Sequence, residues 1–263
     1  MSAGRPQPPS GATPRHLRAR LEDGEAVVGS WLSLASCGAA EVLARAGFDF
    51  LVVDLEHSTT SLESTEALLR TIEGCGSTPL VRLSSLDAVQ IKRVLDAGAQ
   101  GIVIPQVRSC ADLDAAAAAM HYPPRGVRGV GLSRAQGYGA SFDAYRLAFA
   151  QSAMLVAQIE NTEAVAHIDA LVEHPDLSAC LIGPYDLSAS LGLIGQLEHP
   201  RVLEAVERVV SACRIAGIPA GFHQVAPDPA ALRRLLDAGH RFIAYGVDFT
   251  FLDAGARAGL AAR

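Results

Sequence analysis

Eight short apolar or β-branched runs alternate along this chain with Ala-, Leu- and Arg-rich stretches of helical period, and that alternation limits the fold more than any other feature. The runs cover residues 27–34, 50–56, 79–83, 101–107, 154–160, 179–182, 219–223 and 241–247. Between them the spacing predicts helices over 39–46, 62–74, 87–97, 111–121, 142–151, 162–172, 201–216 and 229–238. One phrase recurs, helix then Ala-Gly then strand, as at Arg45-Ala46-Gly47-Phe48, Asp96-Ala97-Gly98-Ala99 and Asp237-Ala238-Gly239-His240. Each glycine suits the left-handed backbone that ends a helix. Strands fed one at a time by helices predict a single-domain α/β chain, a (β/α)8 barrel of the TIM type. A doubly wound open sheet is the runner-up, but it leaves eight near-equal units and no Gly-rich dinucleotide turn to explain.

The boundaries follow from the same pattern. Residues 1–20, rich in Pro, Gly and Arg without apolar periodicity, are expected to be a flexible tail, and 21–263 the barrel domain. Hydrophobic residues make up 49% of the chain and charged ones 19%, which suits close-packed helices around a core. The net charge of −6 offers no basic field for nucleic acid or an anionic membrane, so neither is expected as a partner. No apolar stretch is long enough to cross a bilayer and the first residues lack a secretory pattern, so a cytoplasmic location is expected. Five scattered cysteines, none in a C-x-x-C pair, read as ordinary thiols. Lys92 is the only lysine among 22 basic residues, and it falls inside a helix of the outer ring, where it cannot form an imine with a substrate in the barrel.

In a parallel barrel every strand's C-terminal end opens on one face, so polar residues there converge. Those ends carry Asp54-Leu55-Glu56-His57, Arg82, Gln106, Gln158-Ile159-Glu160, Gly183-Pro184-Tyr185-Asp186, His223-Gln224 and Asp248. Glu160 and Asp186 occupy equivalent places after the fifth and sixth strands. Two such carboxylates read as ligands for a hard divalent ion, Mg2+, Mn2+ or Co2+, the alternative being that each caps the next helix. His57 follows Asp54 by three residues, a spacing that predicts a carboxylate–imidazole dyad with one ring nitrogen free as a base; a hydrogen-bonded surface histidine is the alternative. Arg82 closes an apolar run and needs an oxygen partner, either a substrate or Asp54 or Glu56. The Gly- and Arg-rich stretch between the fourth helix and the fifth strand is too long for an ordinary connection and reads as a binding loop or lid, or else as a solvated surface loop.

With these residues in place, the sequence resembles the pyruvate-type class II aldolases of the HpcH/HpaI family. The carriers are Phe48-Asp49-Phe50-Leu51-Val52-Val53-Asp54-Leu55-Glu56-His57-Ser58, Val81-Arg82, Gly101-Ile102-Val103-Ile104-Pro105-Gln106-Val107, Tyr122-Pro123-Pro124-Arg125-Gly126-Val127-Arg128-Gly129, Gln158-Ile159-Glu160 and Ile182-Gly183-Pro184-Tyr185-Asp186-Leu187-Ser188. The resemblance implies a phosphoenolpyruvate/pyruvate-type barrel that reversibly cleaves a 4-hydroxy-2-oxo acid to pyruvate and an aldehyde. It implies that Glu160 and Asp186 bind the metal, that His57 with Asp54 behind it is the base, and that Arg82 holds the keto oxygen. Gln158 would lie beside the pyruvate moiety, and the backbone amides around Tyr185 and Asp186 would receive its carboxylate. Tyr185 stands where a small residue is expected and would reshape the aldehyde side. The resemblance also implies a homotrimer or homohexamer with one helix, here the C-terminal one, exchanged between neighbours, and a loop 125–139 reaching an adjoining site. Two rivals remain at this point: an acyl-CoA lyase of the citrate lyase β-chain type, disfavoured by the scarcity of lysine, and a non-catalytic oxo-acid-binding protein.

Overall fold

The computed structural model describes residues 15–261. Eight parallel strands close on themselves in sequence order: β1 (Val27–Leu32), β2 (Phe50–Asp54), β3 (Thr78–Arg82), β4 (Gly101–Ile104), β5 (Met154–Ile159), β6 (Ala179–Ile182), β7 (Ala220–Gln224) and β8 (Phe242–Val247). The predicted (β/α)8 barrel is the fold. Its helices are α1 (Leu17–Glu22), α2 (Cys37–Ala46), α3 (Leu62–Gly74), α4 (Ala88–Ala97), α5 (Cys110–Met120), α6 (Phe142–Ser152), α7 (Thr162–Ala166), α8 (Ile168–Val172), α9 (Pro184–Ser190), α10 (Pro200–Ala216), α11 (Pro229–Asp237) and α12 (Asp248–Leu260). Lys92 lies on α4, in the outer ring.

Two buried clusters divide along each strand with period two. Val27 and Trp31, Phe50 and Val52, Leu80, Val103, Val156, Leu181, Phe242 and Ala244 fill the barrel interior. Leu51, Val53, Val81, Ile102, Ile104, Leu155 and Ile182 face the helices instead. Gly29 is needed inside: a Cβ there would lie 2.3 Å from the ring of Phe50, which stacks on Phe242 at 4.4 Å. Above these apolar layers the same alternation brings Trp31, Asp54, Arg82, Gln158 and His223 to the C-terminal mouth.

Three sequence expectations change. Residues 17–20 do not belong to a tail, because α1 buries Leu17 and Leu21 in the interior cluster and so closes the lower end of the barrel; the rest of that expected tail up to residue 14 lies outside the described residues. The helix predicted over 162–172 is two short helices, broken where His167 sits at φ −97°, ψ 10° with its ring against the carbonyl of Arg108 at 3.0 Å. Two further helices, α9 and α12, begin directly at the ends of β6 and β8 and were not among the predicted helical stretches.

The long connection between α5 and α6 is not a lid over this chain's own strand ends. Barrel helices run antiparallel to the strands, so their C-termini lie at the opposite face, and it is there that the connection is tied down. Arg134 pairs with Glu73 at the end of α3 and donates to the carbonyl of Ala97 at the end of α4. Arg128 is buried, 2.6 Å from Asp96 and stacked over Tyr122 at 4.6 Å and Phe149 at 5.2 Å. On the outside of the barrel α12 tucks Phe251 against Phe48 and Tyr245, while Leu252 (62% exposed) and Leu260 (56%) find no cover among the described residues. Among the described residues no helix is long and apolar enough to cross a membrane.

Candidate active site

Arg82, at the last position of β3, lies across from Asp54, the last residue of β2, because the two strands pair in register there. Its Nε donates to Asp54 Oδ1 at 2.9 Å and its Nη2 to Oδ2 at 2.6 Å. Nη1 lies 3.0 Å from Glu56 Oε2, and the guanidinium sits 4.4 Å above the indole of Trp31. Burial pushes the Asp54 carboxyl up, but the hydrogen bonds and charge of Arg82, with the N–H groups of Glu56 and His57, outweigh it and hold the group below the usual carboxylate range.

This geometry corrects the Asp54–His57 dyad. Asp54 Oδ1 accepts from the backbone N–H of Glu56 (2.9 Å) and of His57 (3.3 Å), not from the imidazole. The turn that follows β2 curls its amides onto the carboxylate and throws the His57 ring outward, where it is 66% exposed with Glu56 Oε2 as its nearest charged partner at 4.0 Å. Spacing alone cannot distinguish a turn that caps its own carboxylate from one that presents a ring to it.

Glu160 is 1% exposed. Its Oε1 accepts from the backbone N–H of Gln106 at 2.7 Å, an amide aimed there by the left-handed backbone of Gln106 (φ 54°), and its Oε2 accepts from the side-chain amide of Gln158. Burial raises its pKa to about 7; the Gln106 amide works against that, and the charges of Glu56 and Asp186 add to it. Glu160 does not cap the next helix, since Asn161 does so by accepting from Ala164 N at 2.8 Å. Asp186 is likewise no cap: it stands in the first turn of α9, whose N-cap is Gly183, and its side chain is exposed. Gly183 makes the space, because a Cβ there would lie 2.9 Å from Glu160 Oε2 and 3.1 Å from Gln158 Nε2. Tyr185, 52% exposed, sits beside Asp186 at the rim.

The structure thus brings Asp54, Arg82, Gln158, Glu160 and Asp186 to one mouth, with His57 on its exposed edge. Sequence reasoning passed over Trp31, the floor beneath Arg82, and gave no role to His223, whose ring lies 5.1 Å from Trp31; Glu56, offered there as an alternative partner of Arg82, is its second carboxylate alongside Asp54. Inward alternation along β1 and β7 was the available signal. Asp248 has a structural role, accepting from the N–H groups of Ser33 (3.2 Å) and Leu34 (2.8 Å) and so pinning the end of β1 to that of β8. Among the described residues no three His, Cys, Asp or Glu side chains are grouped to hold a metal ion unaided.

A buried carboxylate flanked by other acids, one arginine and no lysine at the mouth of a TIM barrel is chemistry suited to an enolate-forming lyase, and the comparisons agree. The sequence profile of the HpcH/HpaI aldolase/citrate lyase family matches residues 28–253. The chain is 40% identical over 245 residues to the 4-hydroxy-2-oxo-heptane-1,7-dioate aldolase of Salmonella paratyphi A, covering 92% of each. It is 39% identical over 249 residues to the pyruvate aldolase of Rhizobium etli, covering 94% of this chain and 96% of that one. The crystal structure of a HpcH/HpaI aldolase/citrate lyase family protein from Burkholderia cenocepacia J2315 superposes with a TM-score of 0.89 at 35% identity, over 94% of this chain and 98% of the other. Fold and relatives define a carbon–carbon lyase of the aldolase type. The chain belongs to the HpcH/HpaI aldolase/citrate lyase family.

Proposed function

We propose that this chain reversibly cleaves a 4-hydroxy-2-oxo acid to pyruvate and an aldehyde, with a divalent cation held by Glu160 and Asp186. The observation that carries the reading is the uncompensated acidity around Glu160. Arg82, the cation beside it, is already matched by Asp54 and Glu56, and the side-chain oxygen Oε1 of Gln158 is buried without a partner. Such a set suits a hard ion with oxygen ligands, Mg2+, Mn2+ or Co2+, with substrate and water completing its shell. A cation bound there would supply Lewis-acid polarisation of the 2-oxo group.

The chain's own residues supply the rest. Arg82 donates two of its five N–H groups to Asp54 and faces Glu56 as an ion pair through Nη1, which leaves N–H groups on both Nη atoms for the 2-oxo oxygen. Because its guanidinium is clamped on both sides, it reaches the transition state already oriented. His57, solvent-facing and free of Asp54, takes the C4 hydroxyl proton through a water; the C4–O–H electrons form the aldehyde carbonyl, the C3–C4 pair moves into the C2–C3 bond, and the 2-oxo oxygen gains the charge that Arg82 stabilises. A proton delivered to C3 then completes pyruvate. Gln158 lies beside the three-carbon unit, and the first-turn N–H groups of α9 near Tyr185 and Asp186 lack intrahelical acceptors and suit its carboxylate. The uncovered Leu252 and Leu260 on α12 support assembly into a homotrimer or homohexamer by exchange of that helix.

Pyruvate C3 proton exchange in deuterium oxide, followed by NMR with Mg2+, Mn2+ or Co2+ returned after chelation, tests the reading without knowledge of the aldehyde. Exchange that requires the cation and vanishes in Glu160→Ala is expected. Undiminished exchange after exhaustive chelation, or in Glu160→Ala, overturns it.

A further inference from the structure

The barrel mouth leaves three buried side-chain atoms with neither a hydrogen bond nor an ion-pair partner, and they fall on two sides. Gln158 Oε1 lies on the β5 side, where the three-carbon half of the substrate is placed above. Trp31 Nε1 and His223 Nε2 lie on the β1 and β7 side, which that half leaves unused. A buried polar atom with no partner has lost its water without replacement, so a ligand group that satisfies it is selected over one that does not. The two sides are continuous: the Arg82 guanidinium covers one part of the Trp31 indole at 4.4 Å, and the His223 imidazole leans on it at 5.1 Å and 47°. A substrate gripped at Arg82 therefore extends past Trp31 toward His223.

We propose that His223 is a specificity-determining residue for the aldehyde half of the substrate, its Nε2 hydrogen-bonding a hydroxyl on the carbon next to the aldehyde carbonyl. This deepens the aldolase reading above and rests on it. The preference for a hydroxyl over a charged group comes from the surroundings of the ring. Burial, and then the charge of Arg82, pull the His223 pKa down to about 3, with Asp54 opposing, so the imidazole is neutral at working pH. A neutral imidazole offers a neutral hydroxyl a donor or an acceptor without adding charge. A carboxylate in the same place would call for a second cation, and the charge of Arg82 is already matched by Asp54 and Glu56. An alkyl group would leave Nε2 orphaned.

The test compares glycolaldehyde with propanal, which differ by a hydroxyl for a methyl, as acceptors for pyruvate with Mg2+ or Mn2+ present. Wild type is expected to favour glycolaldehyde in kcat/KM by about tenfold or more. His223→Leu should bring that ratio near one by losing activity on glycolaldehyde, and His223→Gln, which keeps a polar end, should restore much of it. The ratio is read within each preparation, so a partly folded variant lowers both numbers together and leaves it intact; His223→Met carries the same test if the leucine variant does not accumulate. A ratio unmoved by His223→Leu overturns the proposal, as does a His223-dependent preference for glyoxylate, which carries a carboxylate, in place of glycolaldehyde. Wild-type pyruvate proton exchange separates the two levels: with exchange present and the ratio unmoved, only the role of His223 fails, whereas absence of exchange removes the aldolase reading and this proposal with it.

Discussion

Arg82 and Asp54 form a bidentate pair at adjacent strand ends, Nε to Oδ1 at 2.9 Å and Nη2 to Oδ2 at 2.6 Å, both residues almost wholly buried. The pair presents a fixed guanidinium to the site and leaves the Asp54 carboxylate unavailable to the His57 ring. Breaking it strands a buried charge. Asp54→Asn is therefore expected to lower stability by about 3 to 5 kcal/mol in urea titrations. Because folding depresses the Asp54 pKa, its contribution is complete above the unfolded carboxylate value near 4 and is lost as pH falls through the lower folded value. A variant within about 0.5 kcal/mol of wild type at pH 7 would contradict this.

Glu160 has the opposite sign. Its pKa rises from 4.5 to about 7 on folding, so in the cation-free protein the contribution of this group is complete below the unfolded value and is lost as pH climbs through 7. The loss attributable to this group is about 3 kcal/mol at most. Thermal unfolding across pH 5 to 9 should show that fall, and Glu160→Gln should flatten it. Added Mn2+ should raise Tm more at pH 8 than at pH 6 in wild type and leave Glu160→Gln unmoved; equal shifts at both pH values would count against ligation by this carboxylate.

His57 supports little of the fold, since its ring is exposed and makes no hydrogen bond to Asp54. His57→Ala should change stability by less than about 0.5 kcal/mol while lowering kcat by about 10²- to 10⁴-fold, the range of general base catalysis. Unaltered kcat on a substrate that wild type cleaves would assign the base elsewhere.

Arg128 tests the placement of the long connection. Its guanidinium is buried against Asp96, Tyr122 and Phe149 at the face away from the catalytic mouth. Arg128→Met should expose the segment 125–139 to limited proteolysis several-fold faster, with a stability loss of about 3 kcal/mol. Cleavage rates equal to wild type would mean that this ion pair does not hold the segment.

The amino-acid order by itself determined the barrel, because each unit's signal is local: period-two apolar runs, helical spacing, and glycines whose left-handed backbone ends α2 and α4. It also determined which residues reach the mouth, since strand ends in a parallel barrel converge whatever their separation along the chain. Only the tertiary structure decided the pairings among them. Asp54 chose Arg82 over His57 because the β2–β3 register sets them side by side and the following turn spends its amides on the same carboxylate. The loop chose the lower face because Arg128 and Arg134 find their acceptors at helix C-termini remote in sequence. Local propensity records what a segment becomes; partner choice depends on distances across the closed sheet, which no short stretch of the chain contains.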